Sequence, residues 1–217
     1  MIARIELPAK LVETAAVVML PHCTLDEAIA PVEVLIQEGF SVVSLAPGSR
    51  VTPSALRRVF GRRLLIGAHD LRAAEHASWA IAEDAAFALT LGDDEQLRRA
   101  LAEAAIPQCP NALTPTEVAG VWRKGETSAV QVVPAGVFGP GYPAQLRALV
   151  PGAALVARGA DSLHEIEAWL SAGASAVCLG DRLIADAFRR GNLSGLRSRS
   201  RPIVETLNAT RSSSTSS

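Results

Sequence analysis

The chain has 217 residues, of which 49% are hydrophobic and 20% are charged, so it can bury a sizeable core and is not intrinsically disordered over most of its length. Its 21 basic and 22 acidic residues give a net charge of -1, which argues against a broad nucleic-acid surface. The 3 cysteines form neither a disulfide scaffold nor a zinc motif, and no signal peptide or membrane-spanning run is evident. We therefore expect a soluble cytoplasmic protein without nucleic-acid or membrane partners.

Short apolar runs alternate along the chain with stretches of helical character. Each run is continuously apolar, which is typical of strands that are buried on both faces of a parallel sheet. The eight predicted strands are Ala16–Leu20, Ser41–Leu45, Leu64–Ala68, Phe87–Leu91, Ile106–Cys109, Ala129–Val133, Ala154–Ala157 and Ala176–Leu179. Eight strand–helix units in this length predict an α/β fold, a single (βα)8 TIM barrel. A doubly wound open sheet is less consistent, because its glycine fingerprint is absent after the first strand.

Helix start signals lie between the predicted strands. Thr24–Glu27 and Thr114–Glu117 have the residue types of capping boxes, and Ser162–Glu165 opens the helix after the seventh run. The first 15 residues are expected to form an extra N-terminal helix. We assign residues 1–210 to one barrel domain and predict that the Ser/Thr-rich tail, 211–217, is disordered because it is too polar to pack.

Polar residues at the C-terminal ends of the strands are the candidates for chemistry, because active sites of such barrels lie there. The most informative set is a pair of glycine–arginine clusters after the last two runs: Arg158, Gly159, Gly180 and Arg182. Glycines let the backbone approach a ligand closely, and arginines donate charge-assisted hydrogen bonds, so the clusters predict an anion site. The alternative is that both arginines are solvated or pair with Asp161 and Asp181.

His69 and Asp70 are adjacent at the end of the third run. A histidine–carboxylate pair suits acid–base chemistry, and together with His22 it offers possible metal ligands. The alternative is that Asp70 caps the next helix while His69 faces solvent. Cys109, which precedes Pro110, is interpreted as a small buried residue rather than a nucleophile.

Most of the chain, from about Val17 to Ile184, resembles the 2-keto-3-deoxy-6-phosphogluconate (KDPG)/4-hydroxy-2-oxoglutarate (KHG) aldolase family. The segment Ile66–Gly92 matches, without a gap, a family stretch that runs from Gly-Ala-Gly-Thr to Phe-Ala-Ile-Ser-Pro-Gly. Ile106–Val118 is similar to Ile-Pro-x-x-Pro-Gly-x-x-Thr-x-x-Glu, and Gln131–Ala135 is similar to Lys-Phe-Phe-Pro-Ala. The resemblance implies a homotrimeric class I aldolase that needs no metal or other cofactor. In that family a lysine on strand six forms a Schiff base with a 2-keto acid, a strand-two glutamate moves protons, and strands seven and eight bind phosphate.

The chain departs from the family pattern where the family does its chemistry. Gln131 stands at the lysine position and Ser44 at the glutamate position. Gly48 stands at the position of an arginine that holds the substrate carboxylate, although Arg50 is close by. Pro134 retains the family residue.

The same departures extend to the third, seventh and eighth strands. His69-Asp70 replaces a family Gly-Thr, Arg158-Gly159 replaces a double glycine, and Gly180-Asp181-Arg182 replaces Gly-Gly-Ser. The only lysines, Lys10 and Lys124, do not follow strand C-terminal ends. We therefore expect that the chain does not form the family's imine.

Three functions remain open at this point. We favour a degenerate homologue that binds a small anionic keto-acid or phosphorylated sugar acid. The alternatives are an active lyase or related enzyme with an altered, lysine-independent mechanism, and a barrel without a ligand site. The candidate catalytic positions are Gln131, Ser44, His69 and Asp70. The candidate anion contacts are Arg158, Gly159, Gly180, Arg182, Arg50 and Pro134.

Overall fold

One parallel sheet forms the centre of the molecule. The structure, a computed structural model, describes residues 4–92, 94–184 and 186–214. The strands are β1 (Ala16–Met19), β2 (Val42–Leu45), β3 (Leu65–Leu71), β4 (Ala88–Thr90), β5 (Gln108–Cys109), β6 (Asn111–Ala112), β7 (Val130–Val132), β8 (Leu155–Arg158) and β9 (Ala176–Leu179). They are hydrogen-bonded in the order β5-β4-β3-β2-β1-β9-β8-β7-β6.

The two edges of this sheet, β5 and β6, together form the fifth strand of the barrel. The predicted run Ile106–Cys109 contains β5 but ends before β6, so the prediction missed the second piece. The two pieces are separated by Pro110, whose ring nitrogen carries no hydrogen for a ladder bond. β5 pairs with β4, and β6 pairs with β7. Two further backbone bonds connect β5 and Pro110 to the β7 segment and so close the barrel: the Ser128 N–H donates to the Gln108 carbonyl (2.9 Å), and the Gln131 N–H donates to the Pro110 carbonyl (2.8 Å). The predicted (βα)8 barrel is therefore confirmed, with its fifth strand in two pieces.

Helices connect the strands and cover the outside of the sheet. They are α1 (Ala9–Thr14), α2 (Leu25–Gln37), α3 (Pro53–Phe60), α4 (Ala74–Ala82), α5 (Glu95–Glu103), α6 (Pro115–Trp122), α7 (Tyr142–Leu149), α8 (Leu163–Ser171), α9 (Asp181–Ile184), α10 (Ala187–Arg190) and α11 (Leu193–Ser214). The predicted capping boxes are present at the starts of α2, α6 and α8. In each, a hydroxyl oxygen and a glutamate carboxylate accept bonds from N–H groups that the helix leaves unpaired.

The predicted extra helix, α1, packs against the strand ends opposite the candidate site. It contacts β1, β2 and β9, and its Leu11 is buried in the same interior cluster as Val17 and Phe87. The ammonium group of Lys10 donates to the carbonyls of Arg62 (3.0 Å) and Arg63 (2.9 Å). Helix α1 thus covers the N-terminal end of the barrel, opposite the strand C-terminal ends.

The polar C-terminal tail differs from its prediction of disorder. Helix α11 continues to Ser214, so residues 211–214 are helical, whereas 215–217 lie outside the described residues. Extending an existing helix adds one backbone bond for each residue that is ordered, and hydroxyl side chains can bond to carbonyls four residues earlier. The hydroxyls of Thr210 and Ser212 do so, each at 3.0 Å. No helix in the described ranges has the length and apolarity that crossing a membrane requires.

Gly67 allows the barrel interior to close, and its replacement tests this packing. A Cβ at Gly67 would lie 2.4–2.5 Å from ring atoms of Phe87. We expect Gly67→Ala to lower the free energy of unfolding by about 1–3 kcal/mol, because overpacking forces its neighbours to move. Gly120→Ala in α6 is the control, since its Cβ would meet nothing within 4 Å. Urea unfolding should show the control to be unchanged or stabilised by up to about 1 kcal/mol; equal effects of the two substitutions would contradict this packing.

Candidate functional site

The strand ends present a polar layer to the barrel interior. Side chains alternate between the two faces along a strand, so residues two apart share a face. Val42, Val156 and Ala176 belong to the interior cluster. The residues two positions after them, at the strand C-terminal ends, therefore point inward: Ser44, Arg158 and Cys178.

Strand β3 breaks this alternation at its end. It is longer than predicted, so His69 and Asp70 lie within the strand rather than after it. Its pairing register with β4 shifts between His69 and Leu71, and Asp70 has a φ of 60°. Such a bulge lets two successive residues face the same side, and aspartate tolerates the left-handed conformation better than most residues do. His69 and Asp70 consequently line the same cavity.

Asp70 forms an ion pair across the barrel mouth with Arg158. Asp70 Oδ1 lies 2.6 Å from Arg158 Nη1, between residues that are 88 positions apart. Burial opposes the charged carboxylate, but the hydrogen bond and charge of Arg158 outweigh burial and lower the pKa of Asp70. Arg158 is therefore neither solvated nor paired with Asp161 or Asp181. The alternative that Asp70 caps the next helix is also wrong, because the N-cap of α4 is Ala73.

His69 is buried, which corrects the expectation that it faces solvent. Its exposed fraction is 5%, and its Nδ1 atom lies 2.9 Å from the hydroxyl of Ser44, which is completely buried. Burial lowers the pKa of His69 to about 4, although the Asp70 carboxylate acts in the opposite direction. His69 is therefore a neutral imidazole at pH 7.

Gln131, at the position of the family lysine, is completely buried. Its Nε2 group donates to the backbone carbonyl of Thr90 on β4 (3.1 Å). Among the described residues, its Oε1 atom has no hydrogen-bond partner, and neither does the buried hydroxyl of Thr90. An amide nitrogen shares its lone pair with the carbonyl, so Gln131 cannot act as a nucleophile.

A cavity of about 320 Å³, here called the strand-end cavity, opens at the mouth of the barrel. Its polar side chains are those of His22, His69, Asp70, Arg158, Asp161 and Asp181. With His69 neutral, the lining carries three carboxylates and one guanidinium group. Ser44 and Gln131 do not line the cavity.

The structure brings some of the predicted anion contacts together and separates others. Gly159 and Gly180 line the strand-end cavity beside Arg158. Arg182 lines a different cavity, and the guanidinium of Arg50 is 3.9 Å from Glu27 with a side chain that is 74% exposed.

The remaining predicted anion contact, Pro134, lies next to this wall of the cavity. It follows a cis peptide bond and precedes Ala135, whose N–H donates to the Arg158 carbonyl at 2.7 Å. The loop after β7 thereby supports the end of β8.

Sequence reasoning missed the Asp70–Arg158 pair and the contact of Gln131 with Thr90, since no local signal connects positions that are far apart in the chain.

The cysteines contribute no activated thiol. Cys23, Cys109 and Cys178 are free and buried. Cys178 lines the strand-end cavity, but burial raises its pKa to about 12, so its thiol is protonated at pH 7. In the described parts of the chain, no three His, Cys, Asp or Glu side chains are grouped so that they could hold a metal ion.

The buried imidazole makes stability depend on pH. The pKa of His69 is lowered from 6.5 to about 4, so the unfolded chain binds more protons between these values. The free energy of unfolding should therefore fall as the pH decreases from about 6.5 towards 4. Urea unfolding of His69→Gln should show a weaker dependence in this window, with the exposed His164→Gln as the control. An unchanged dependence in His69→Gln would contradict burial of the neutral ring.

Comparison with known proteins agrees with this fold. The 2-dehydro-3-deoxy-6-phosphogalactonate aldolase of Escherichia coli (strain K12) is 27% identical over 179 residues, which cover 81% of this chain and 85% of the relative. A solved structure described as "Native KDPGal structure" is 24% identical, with a TM-score of 0.76 over 91% of this chain and 96% of that one. A porous protein cage designed by fusing symmetric oligomeric domains is also 24% identical, with a TM-score of 0.79 over 93% of this chain and 75% of that one.

The family assignment rests on a match along most of the sequence. The model of the KDPG and KHG aldolase family matches residues 7–197, which include α1, every strand and the start of α11. The chain therefore belongs to the KDPG and KHG aldolase family.

Proposed function

We propose that the chain binds a small 2-keto monocarboxylate in the strand-end cavity and does not form a Schiff base with it. The observation that carries this proposal is the buried Gln131, which stands where family resemblance implies the reactive lysine. Its amide group is bonded to the Thr90 carbonyl on β4, beyond the split fifth strand. The proposal describes a member of an aldolase family that retains the barrel and its mouth but has lost imine catalysis.

The lysines of the chain support the absence of an imine. A Schiff base requires an amine nitrogen that reaches the substrate carbonyl. Lys10 binds carbonyl groups at the N-terminal end of the barrel, opposite the cavity. Lys124 follows α6, and it is not among the residues that line the strand-end cavity.

Arg158 is the residue that we propose to bind the ligand carboxylate. Its Nη1 atom is bonded to Asp70, but a guanidinium group has five N–H donors, so the side chain retains donors for a second acceptor. The ion pair with Asp70 also fixes the orientation of the guanidinium plane. Arginine is well suited to such a role, because its planar fork matches carboxylate geometry.

The charge of the cavity favours a monocarboxylate over a phosphorylated sugar acid. Asp70 compensates Arg158, while Asp161 and Asp181 add negative charge at the exposed rim. A doubly charged phosphate ester at this rim would be repelled by both carboxylates. The volume of about 320 Å³ is at the lower end of the range for ligand pockets, about 300–1,000 Å³, and suits a small acid.

A second candidate function is lysine-independent proton transfer on the same acid. Its support is the neutral His69 beside Asp70 in the wall of the cavity, with the Ser44 hydroxyl 2.9 Å from the imidazole. A neutral imidazole can accept a proton from carbon next to a carbonyl. Exchange of the pyruvate methyl protons with deuterated solvent, if accelerated by the protein and lost in His69→Gln, would favour this function over binding alone.

Oligomeric state and location are also proposals. The likeness to a chain from a cage of symmetric oligomeric domains supports an oligomer, and the family resemblance implies a homotrimer. Light scattering coupled to gel filtration tests the trimer. We also propose a cytoplasmic location.

The absence of an imine leads to a direct prediction. Incubation with pyruvate and borohydride should leave the mass of the protein unchanged, because no lysine amine reaches the cavity. An aldolase of the same family that carries the lysine serves as the positive control. A reduced pyruvate adduct at Lys10 or Lys124 would contradict the proposal.

The role of Arg158 predicts a difference between two arginine variants. Arg158→Ala should weaken pyruvate binding by about tenfold or more, because a hydrogen bond to a charged group contributes about 1.5–3 kcal/mol. Arg182→Ala is the matched control, since Arg182 does not line the strand-end cavity. Isothermal titration of both variants checks the result. An equal loss of pyruvate affinity in both variants, or a loss only in Arg182→Ala, would show that Arg158 does not bind the pyruvate carboxylate.

A further inference from the structure

A second cavity lies between helices on the outer side of the barrel. It has a volume of about 460 Å³ and borders α8, α9 and α11, so we call it the interhelical cavity. Aliphatic side chains form most of its wall: Leu163, Leu179, Leu183, Pro202 and Ile203. A wall of this kind favours an apolar ligand body, because contact removes apolar surface from water.

Two guanidinium groups line one side of this apolar cavity. Arg182 lines it and forms no hydrogen bond or ion pair within the described ranges. Arg199 also lines it, and its Nε group donates to the Leu183 carbonyl at 2.7 Å. The Arg199 Nη2 atom is buried 3.5 Å from a carboxylate oxygen of Asp186 and makes no hydrogen bond. Arg199 is thus anchored by the protein, whereas Arg182 is available to a ligand.

The lining of the interhelical cavity is less acidic than that of the strand-end cavity. Its lining residues include two arginines and one carboxylate, that of Asp161. Two carboxylates outside the lining act on these arginines: Asp186 lies 3.5 Å from Arg199, and the charge of Arg182 contributes to the lowered pKa of Glu165. The strand-end cavity has three carboxylates and one arginine. The two cavities share Asp161 and Gly180, and an anion on the helical side would be held by the N–H donors of Arg182 rather than by a net positive charge.

We propose that the interhelical cavity is a second ligand site, which binds a carboxylic acid with a compact apolar body. The carboxylate lies on Arg182, and the body packs between Leu163 of α8 and Ile203 of α11. An inorganic anion would satisfy Arg182 but leave the aliphatic wall uncovered. This site does not depend on the function proposed for the strand-end cavity.

The test uses 3-phenylpropionate as the probe and isothermal titration of the full chain. Arg182→Ala should weaken binding by about tenfold or more, since it removes a charged donor. The uncharged amide, 3-phenylpropanamide, should bind wild type weakly for the same reason. Arg158→Ala should leave binding of the probe unchanged, which separates this site from the strand-end cavity.

A second pair of variants tests the apolar wall. Leu163→Glu places a carboxylate against the ligand body and should abolish binding. Leu163 is 43% exposed and begins α8, where an acidic residue suits the helix dipole, so the variant should fold. Leu149→Glu in α7 is the control, at 67% exposure and outside the cavity, and it should bind the probe as wild type does.

Four results would overturn the proposal. The first two are equal affinities for the probe: in Arg182→Ala and wild type, or in Leu163→Glu and Leu149→Glu. The third is that wild type binds inorganic phosphate as tightly as the probe. The fourth is that wild type does not bind the probe at millimolar concentration. Urea midpoints of the variants show that each comparison is made on folded protein.

Discussion

The ion pair between Asp70 and Arg158 determines the shape and charge of the barrel mouth. It joins β3 to β8 at 2.6 Å, and it requires the bulge that turns Asp70 inward beside His69. The pair fixes a guanidinium plane in the strand-end cavity while cancelling most of its charge. The cavity therefore presents an oriented donor rather than a free positive charge, and the carboxylates of Asp161 and Asp181 add negative charge to its lining.

Burial next to this ion pair explains the protonation state of His69, and a hydrogen bond explains the position of Gln131. His69 is neutral because its ring is removed from water, and the hydroxyl of Ser44 is within hydrogen-bond distance of its Nδ1. Gln131 is held by a backbone carbonyl of β4 instead of extending into the cavity. Schiff-base chemistry needs an accessible amine at this position, whereas Gln131 has an amide there. This arrangement lowers the stability of the fold, because it leaves buried oxygens of Gln131 and Thr90 without a hydrogen-bond partner among the described residues.

Much of this architecture was predictable from local sequence. Continuous apolar runs indicate buried parallel strands, and the residues of Thr24–Glu27 and Ser162–Glu165 specify helix starts by a mechanism that acts within one turn. The position of the candidate site followed from the barrel, because the strand C-terminal ends share one mouth. The helical character of 211–214 was missed, since it depends on the length of helix that precedes it.

The pairings within the site were not predictable in the same way. Asp70 and Arg158 are separated by 88 positions. Their contact depends on a register shift in β3 that no single residue type predicts. The split of the fifth strand at Pro110, in contrast, has a local cause. Proline has no N–H to donate to a neighbouring strand, so a strand that continues past Pro110 is interrupted there. The separation of Arg182 from Arg158 likewise depends on how α9 is placed against α11, which is a matter of tertiary packing.

The central claim is that this family member holds a 2-keto acid without covalent bonding. Carbon-13 NMR of pyruvate labelled at the keto carbon tests it most directly, because the keto carbon changes its resonance when it becomes an imine or carbinolamine. We expect wild type to perturb and broaden the keto resonance, Arg158→Ala to abolish this effect, and no resonance of a covalent adduct to arise. A protein-bound imine or carbinolamine signal, or perturbation that persists in Arg158→Ala, would contradict it.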